Sequence, residues 1–134
     1  MGRKIAREDT MKLLFQMDIT EDYSEEKIKK YLEENSHNPE EDSYIYEASS
    51  YIVTNKDDID NKIEKYARGW KTKRFAKVDL AVLRIAIYEI VNRDDIPIEV
   101  SINEALEISK KYSTGESSKF INGILGSLVR GMNK

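Results

Sequence analysis

Few residues in this 134-residue chain could do covalent chemistry. There is no cysteine and a single histidine, His37. Thiolate nucleophiles, disulfides and zinc fingers are therefore excluded. His37 sits in a polar turn among Ser36, Asn38 and Pro39, where an imidazole is expected to face solvent. Asp57, Asp58 and Asp60 have the right type for calcium but lack the glycine and terminal glutamate of a calcium loop. Carboxylates at the positive end of a helix explain them more simply. Gly115, Gly123 and Gly126 fit no nucleotide-binding spacing. No catalysis, no metal and no cofactor is expected.

What remains is the chemistry of holding a polyanion. At 100° per residue, Lys4, Met11 and Phe15 share one sector of an N-terminal helix, with Arg7 beside them. Cations interleaved with an aromatic ring can hold phosphates and stack a base. Near the other end, Lys119 falls in the first turn of a helix and Phe120 on the edge of its apolar stripe. Backbone amides, a lysine and a half-exposed ring could serve the same purpose there. Each sector has a plainer explanation. Met11, Phe15 and Ile19 could pack against a neighbouring helix, and Phe120 could be core. Pattern alone leaves both open.

Charge is segregated along the chain. The net charge is −3, yet residues 21–64 carry fourteen acids against five bases, a balance of −9. Residues 65–77 carry six bases and no acid. A basic face can coexist with an acidic average. No apolar run approaches the roughly 20 residues that span a bilayer. The N-terminus has no apolar signal-peptide core. A cytoplasmic protein without a membrane partner is expected.

These side chains need helices to position them. Helix formers dominate, with two prolines and six glycines, so the class expected is all-α. Helices are expected from about 3 to 19, from a Ser24 cap to 35, and from about 39 to 55. A fourth should run from an Asp57 or Asp58 cap to Arg68, stopped by Gly69. Three more should cover 78–92, 97–112 and, capped by Ser117, up to about 132. In the first, Ala6, Thr10, Leu13, Leu14 and Met17 form the core stripe. The fifth is apolar almost all round, and Asp79, Arg84 and Glu89 step by five into three directions. Such a helix belongs at the centre of a bundle. Arg84 then needs a carboxylate partner. In the seventh, Lys119, Gly123, Gly126 and Arg130 share a face, so something is expected to approach closely there.

Three stretches give a sharper reading: Val82-Leu83-Arg84-Ile85-Ala86-Ile87-Tyr88-Glu89, Ile102-Asn103-Glu104-Ala105 and Ser118-Lys119-Phe120-Ile121-Asn122-Gly123. Together they resemble the signature of the NusB family of bacterial transcription antitermination factors. The similarity is dense over 75–126 and collinear over 3–19. Over about 20–70 it is one of helical character and length. Phe15 stands where many relatives have tyrosine.

The resemblance implies a single NusB-like domain over 1–134, with about seven helices in two three-helix sub-bundles packed roughly at right angles. It implies binding of the single-stranded boxA element of nascent ribosomal RNA transcripts, together with the ribosomal protein NusE. NusA, NusG and RNA polymerase would complete the assembly. It also implies that Arg3, Lys4 and Arg7 meet phosphates, that Phe15 stacks, and that Lys119 and Phe120 face RNA. Tyr88 and Glu89 would help dock NusE, and Glu116 would fall near the RNA or the partner. Some relatives form homodimers, and the sequence leaves that choice open. The same fold occurs in a ribosomal RNA cytosine methyltransferase, but that enzyme needs a catalytic cysteine, which this chain lacks.

Overall fold

The computed structural model describes residues 2–35 and 37–132. Among these there are seven α-helices and no strand: α1 Gly2–Thr20, α2 Glu25–Glu34, α3 Pro39–Thr54, α4 Lys56–Lys65, α5 Lys77–Asn92, α6 Ile98–Tyr112 and α7 Gly115–Met132. The expected all-α class holds. The helices form two compact units divided between Thr54 and Asn55.

In the first unit, α1 packs against α3, with α2 against both. The expected stripe of α1 is fully inside: Ala6, Thr10, Leu13, Leu14 and Met17 are all at most 1% exposed. The Thr10 hydroxyl is satisfied locally, donating to the Ala6 carbonyl at 2.7 Å. Ser24 caps α2 as expected, its hydroxyl accepting from the Lys27 N–H at 3.2 Å. Asn38 starts α3 with a reciprocal pair. Its Oδ1 accepts from the Glu41 N–H at 2.8 Å, and its own N–H donates to Glu41 Oε1 at 3.0 Å. Pro39 then takes the first helical position, where its missing N–H costs nothing.

His37 corrects an expectation. Its side chain is 1% exposed, not solvated. Nε2 lies 2.5 Å from Asp9 Oδ2 on α1, Nδ1 lies 3.3 Å from Asp42 Oδ1 on α3, and the ring stacks on Tyr31 of α2. The imidazole is therefore hydrogen-bonded to α1 and packed between α2 and α3. A sequence pattern cannot reveal this, because Asp9 is 28 positions away.

In the second unit, α5 is the central element. Every residue from Asp79 to Ile90 is buried, as the all-round apolar pattern required. Arg84 finds its partner in Asp60 of α4. Nε donates to Oδ1 and Nη2 to Oδ2, both at 2.9 Å. This bidentate geometry is the strong form of the pair. Glu89 accepts from the Ser101 hydroxyl at 2.7 Å, joining α5 to α6. Asp79 accepts from the Ser117 hydroxyl at 2.9 Å, joining α5 to α7. Ser117 is thus a tether and not the expected cap. α7 begins two residues earlier, and Thr114 Oγ1 accepts from the Ser117 N–H at 3.1 Å.

Candidate nucleic-acid interface

α4 ends at Lys65, three residues short of expectation. The chain then leaves the helix through left-handed backbone at Arg68 (φ 51°) and Gly69 (φ 89°). Glycine suits the second position, while arginine at the first carries strain of about 1 kcal/mol or more. The reversal ends in a 3-10 turn at Thr72–Arg74, which no periodicity announces. Glu64 fixes it. Its Oε2 accepts from the Thr72 N–H at 2.8 Å and from the Thr72 hydroxyl at 3.2 Å. The backbone N–H of Thr72 holds the Glu64 carboxyl below its usual range, with help from the Thr72 hydroxyl and nearby Lys71 and Lys73.

The segment so held presents Trp70, which is 53% exposed. Its ring meets Phe120 of α7 edge to face, with centroids 6.4 Å apart. On another side Phe120 meets Phe75 at 5.1 Å, also edge to face. Both distances are in the favourable range for aromatic pairs. Phe75 is buried and anchors the cluster, while Phe120 is half-buried. The question left open for Phe120 therefore has a double answer: one part of the ring packs and another stays available.

Beside this wall runs a groove of about 330 Å³. Trp70, Phe120, Lys119, Arg68 and Arg130 line it, with Tyr66 and Gly123. No carboxylate is among its lining residues. A Cβ at Gly123 would meet nothing within 4 Å, so no described residue packs against this glycine. Among the described residues, the close approach expected on that face is thus not made at Gly123, while at Gly126 a Cβ would meet only the Arg130 guanidinium, at 3.4 Å. Further along α7, a Cβ at Gly131 would collide with the Tyr66 ring, so there the glycine serves packing. Cations, exposed rings and an acid-free concave surface suit a single-stranded polyanion carrying flat bases.

In the first unit, α1 exposes Arg3 and Lys4 and leaves Phe15 half-buried. Ile5 is 55% exposed beside them. Two members of the expected sector turn inward. Arg7 is 5% exposed and Met11 is 2% exposed. With Asp18 they line a second buried edge of α1, spaced four and seven residues apart. Arg7 therefore offers almost no surface to a phosphate, and Met11 takes the packing alternative.

Two of the three residues expected at a partner surface are also inward. Tyr88 and Glu89 are each 1% exposed, because α5 is covered on all sides. A partner cannot touch these side chains directly in this arrangement. Glu116, in the first turn of α7, is exposed. Sequence reasoning missed Trp70 and gave no role to Arg68. The signal was present, since 65–77 interleaves Tyr66, Trp70 and Phe75 with its six bases.

Comparison with known proteins places this geometry in a lineage. The NusB family model matches residues 4–130. The transcription antitermination protein NusB of Acetivibrio thermocellus is 49% identical over 130 residues, which is 97% of this chain and 90% of that protein. A crystal form of T. maritima NusB superposes with a TM-score of 0.88 at 36% identity, covering 96% of this chain and 90% of that one. A structure of antitermination factors NusB and NusE in complex with double-stranded RNA contains a chain with the same fold. Its TM-score is 0.87 at 24% identity, covering 97% of each chain. On the breadth of the family match and the identity to its members, this chain belongs to the NusB family.

Proposed function

We propose that this protein is a transcription antitermination factor that binds the single-stranded boxA element of nascent ribosomal RNA transcripts. The observation that carries the reading is the acid-free groove walled by Trp70 and Phe120 and lined by Lys119, Arg68 and Arg130. Rings take bases, and cations take the phosphates between them. In the first unit, exposed Arg3 and Lys4 and half-buried Phe15 on α1 are further proposed RNA contacts. Buried Arg7 supports α1 and meets no phosphate directly. The relatives carry the name transcription antitermination protein, and a protein of this fold has been captured with NusE and RNA.

NusE is proposed as the protein partner, with NusA, NusG and RNA polymerase in the larger assembly. Glu116 has surface to offer it, whereas Tyr88 and Glu89 act from beneath by setting the shape of α5. The chain holds one tryptophan, so its fluorescence reports on the aromatic wall that Trp70 forms with Phe120. Titration with a boxA-like oligoribonucleotide should quench Trp70 and raise the oligonucleotide's anisotropy, with tighter binding when NusE is present. NusE binding without any response to RNA would instead make the protein an adaptor.

A further inference from the structure

The chain after α4 reverses on a residue that the turn itself disfavours. The Trp70 N–H donates to the Ala67 carbonyl at 3.1 Å, closing a four-residue turn around Arg68 and Gly69. Both central residues have positive φ, 51° and 89°. Turns of that hand favour Asn-Gly or Gly-Gly, because a longer side chain at positive φ crowds its own backbone. Gly69 fits and Arg68 does not. Packing does not explain the arginine. Its side chain is exposed, and among the described residues its guanidinium has no hydrogen-bond or ion-pair partner.

Arg68 is also held among like charges. It lines the groove with Lys119 and Arg130, and no carboxylate is among the lining residues. The Arg130 guanidinium donates to the Ser127 hydroxyl at 3.1 Å, which leaves its charge uncompensated. Three cations on one concave surface repel one another. Backbone strain and charge repulsion thus both weigh against Arg68 in the protein alone. A residue disfavoured on two counts, with nothing gained inside the fold, is explained by a ligand that supplies what is missing. That ligand must be anionic. The turn fixes where the side chain starts, with buried Ala67 on one side and the bonded Trp70 N–H on the other. A planar guanidinium so placed matches two oxygens of one phosphate better than a lysine ammonium would. Trp70 leaves the same turn and lines the same groove. One nucleotide can therefore meet both, its base on the ring and its phosphate on the guanidinium.

We propose that Arg68 is a two-pronged clamp on one RNA phosphate, kept in left-handed backbone at a cost to stability. The proposal rests on the RNA-binding reading above. It sets Arg68 apart from Lys119, whose ammonium supplies charge without a fixed fork.

The test uses the full chain, a single-stranded boxA-like RNA, and the variants Arg68→Gly and Arg68→Lys. Arg68→Gly should melt about 3 °C or more above wild type, since glycine accepts positive φ. The same variant should bind RNA about tenfold or more weakly, with a salt slope lower by about 0.7. Arg68→Lys should keep the wild-type melting temperature and salt slope, yet bind several-fold more weakly. A series of RNAs, each with one linkage changed to an uncharged methylphosphonate, locates the contact. One linkage should matter about tenfold in wild type and less than about twofold in Arg68→Gly. Undiminished affinity in Arg68→Gly overturns the clamp and leaves binding to the rest of the groove. A lower melting temperature in that variant also overturns it, by making the side chain structural. Equal affinity in Arg68→Lys reduces the contact to charge and overturns the two-pronged geometry. If every linkage matters equally to wild type, no phosphate is clamped. If wild type binds no RNA at all, the RNA-binding reading itself falls.

Discussion

Phe120 is one ring with two duties. One part packs on Phe75 and Trp70, and the remainder is open to the groove. Base–aromatic stacking contributes about 1–3 kcal/mol per base. Phe120→Ala should therefore weaken binding of single-stranded RNA by roughly five- to 150-fold in fluorescence anisotropy. A change below twofold would relegate the ring to packing. Tyr31 gives a residue-scale prediction about stability. Burial, and secondarily the Asp9 carboxylate, push its phenol up to about 12. The phenol of an unfolded chain titrates near 10. With the folded value the higher, its contribution is complete below pH 10 and is lost as pH rises towards 12. Denaturation midpoints should fall more steeply over that window in wild type than in Tyr31→Phe. Parallel curves would show that Tyr31 titrates as it does in the unfolded chain. Neither residue's environment was legible beforehand. Phe120 sat on the edge of a stripe, where exposure depends on what lies opposite. His37 looked solvated because the Asp9 carboxylate that meets it comes from a helix 28 positions away.

At the scale of elements, periodicity did well wherever one helix face decides the outcome. The core stripe of α1 and the all-round burial of α5 follow from apolar spacing, and so does the need of Arg84 for a partner. That the partner would be Asp60 did not follow, because nothing local links α4 to α5. Arg84→Ala should cost about 3 kcal/mol or more, since Asp60 would lose its bidentate partner. Arg84→Met with Asp60→Leu should recover much of that loss. Urea midpoints check both, and a loss under about 1 kcal/mol for Arg84→Ala would make the pair a surface-grade contact. The segment between α4 and α5 was the least legible. Its form depends on Glu64 reaching eight residues forward to Thr72 and on left-handed backbone at Arg68 and Gly69. Hydrophobic spacing carries no trace of either. That segment delivers Trp70, so the part of the site that went unseen is the part carried by irregular backbone.

For the whole molecule, average charge is a poor guide. The chain is acidic overall, yet the groove in its second unit has three cations and no acid, and α1 in its first unit exposes Arg3 and Lys4. No described helix is long and apolar enough to cross a membrane. The family resemblance rested on motifs whose residues prove mostly structural. Arg84 is an ion-pair member, Glu89 ties α5 to α6, and Ile121 is core. Such motifs identify the scaffold well and the binding surface less well. The central claim is that the exposed cations lining the groove neutralise phosphates of a single-stranded RNA. The most direct measurement is the salt dependence of binding in a variant combining Arg68→Ala, Lys119→Ala and Arg130→Ala. Each lost single-strand phosphate contact should lower the slope of log affinity against log salt by about 0.7, so the variant should lose about 2. A slope equal to that of wild type would contradict the account.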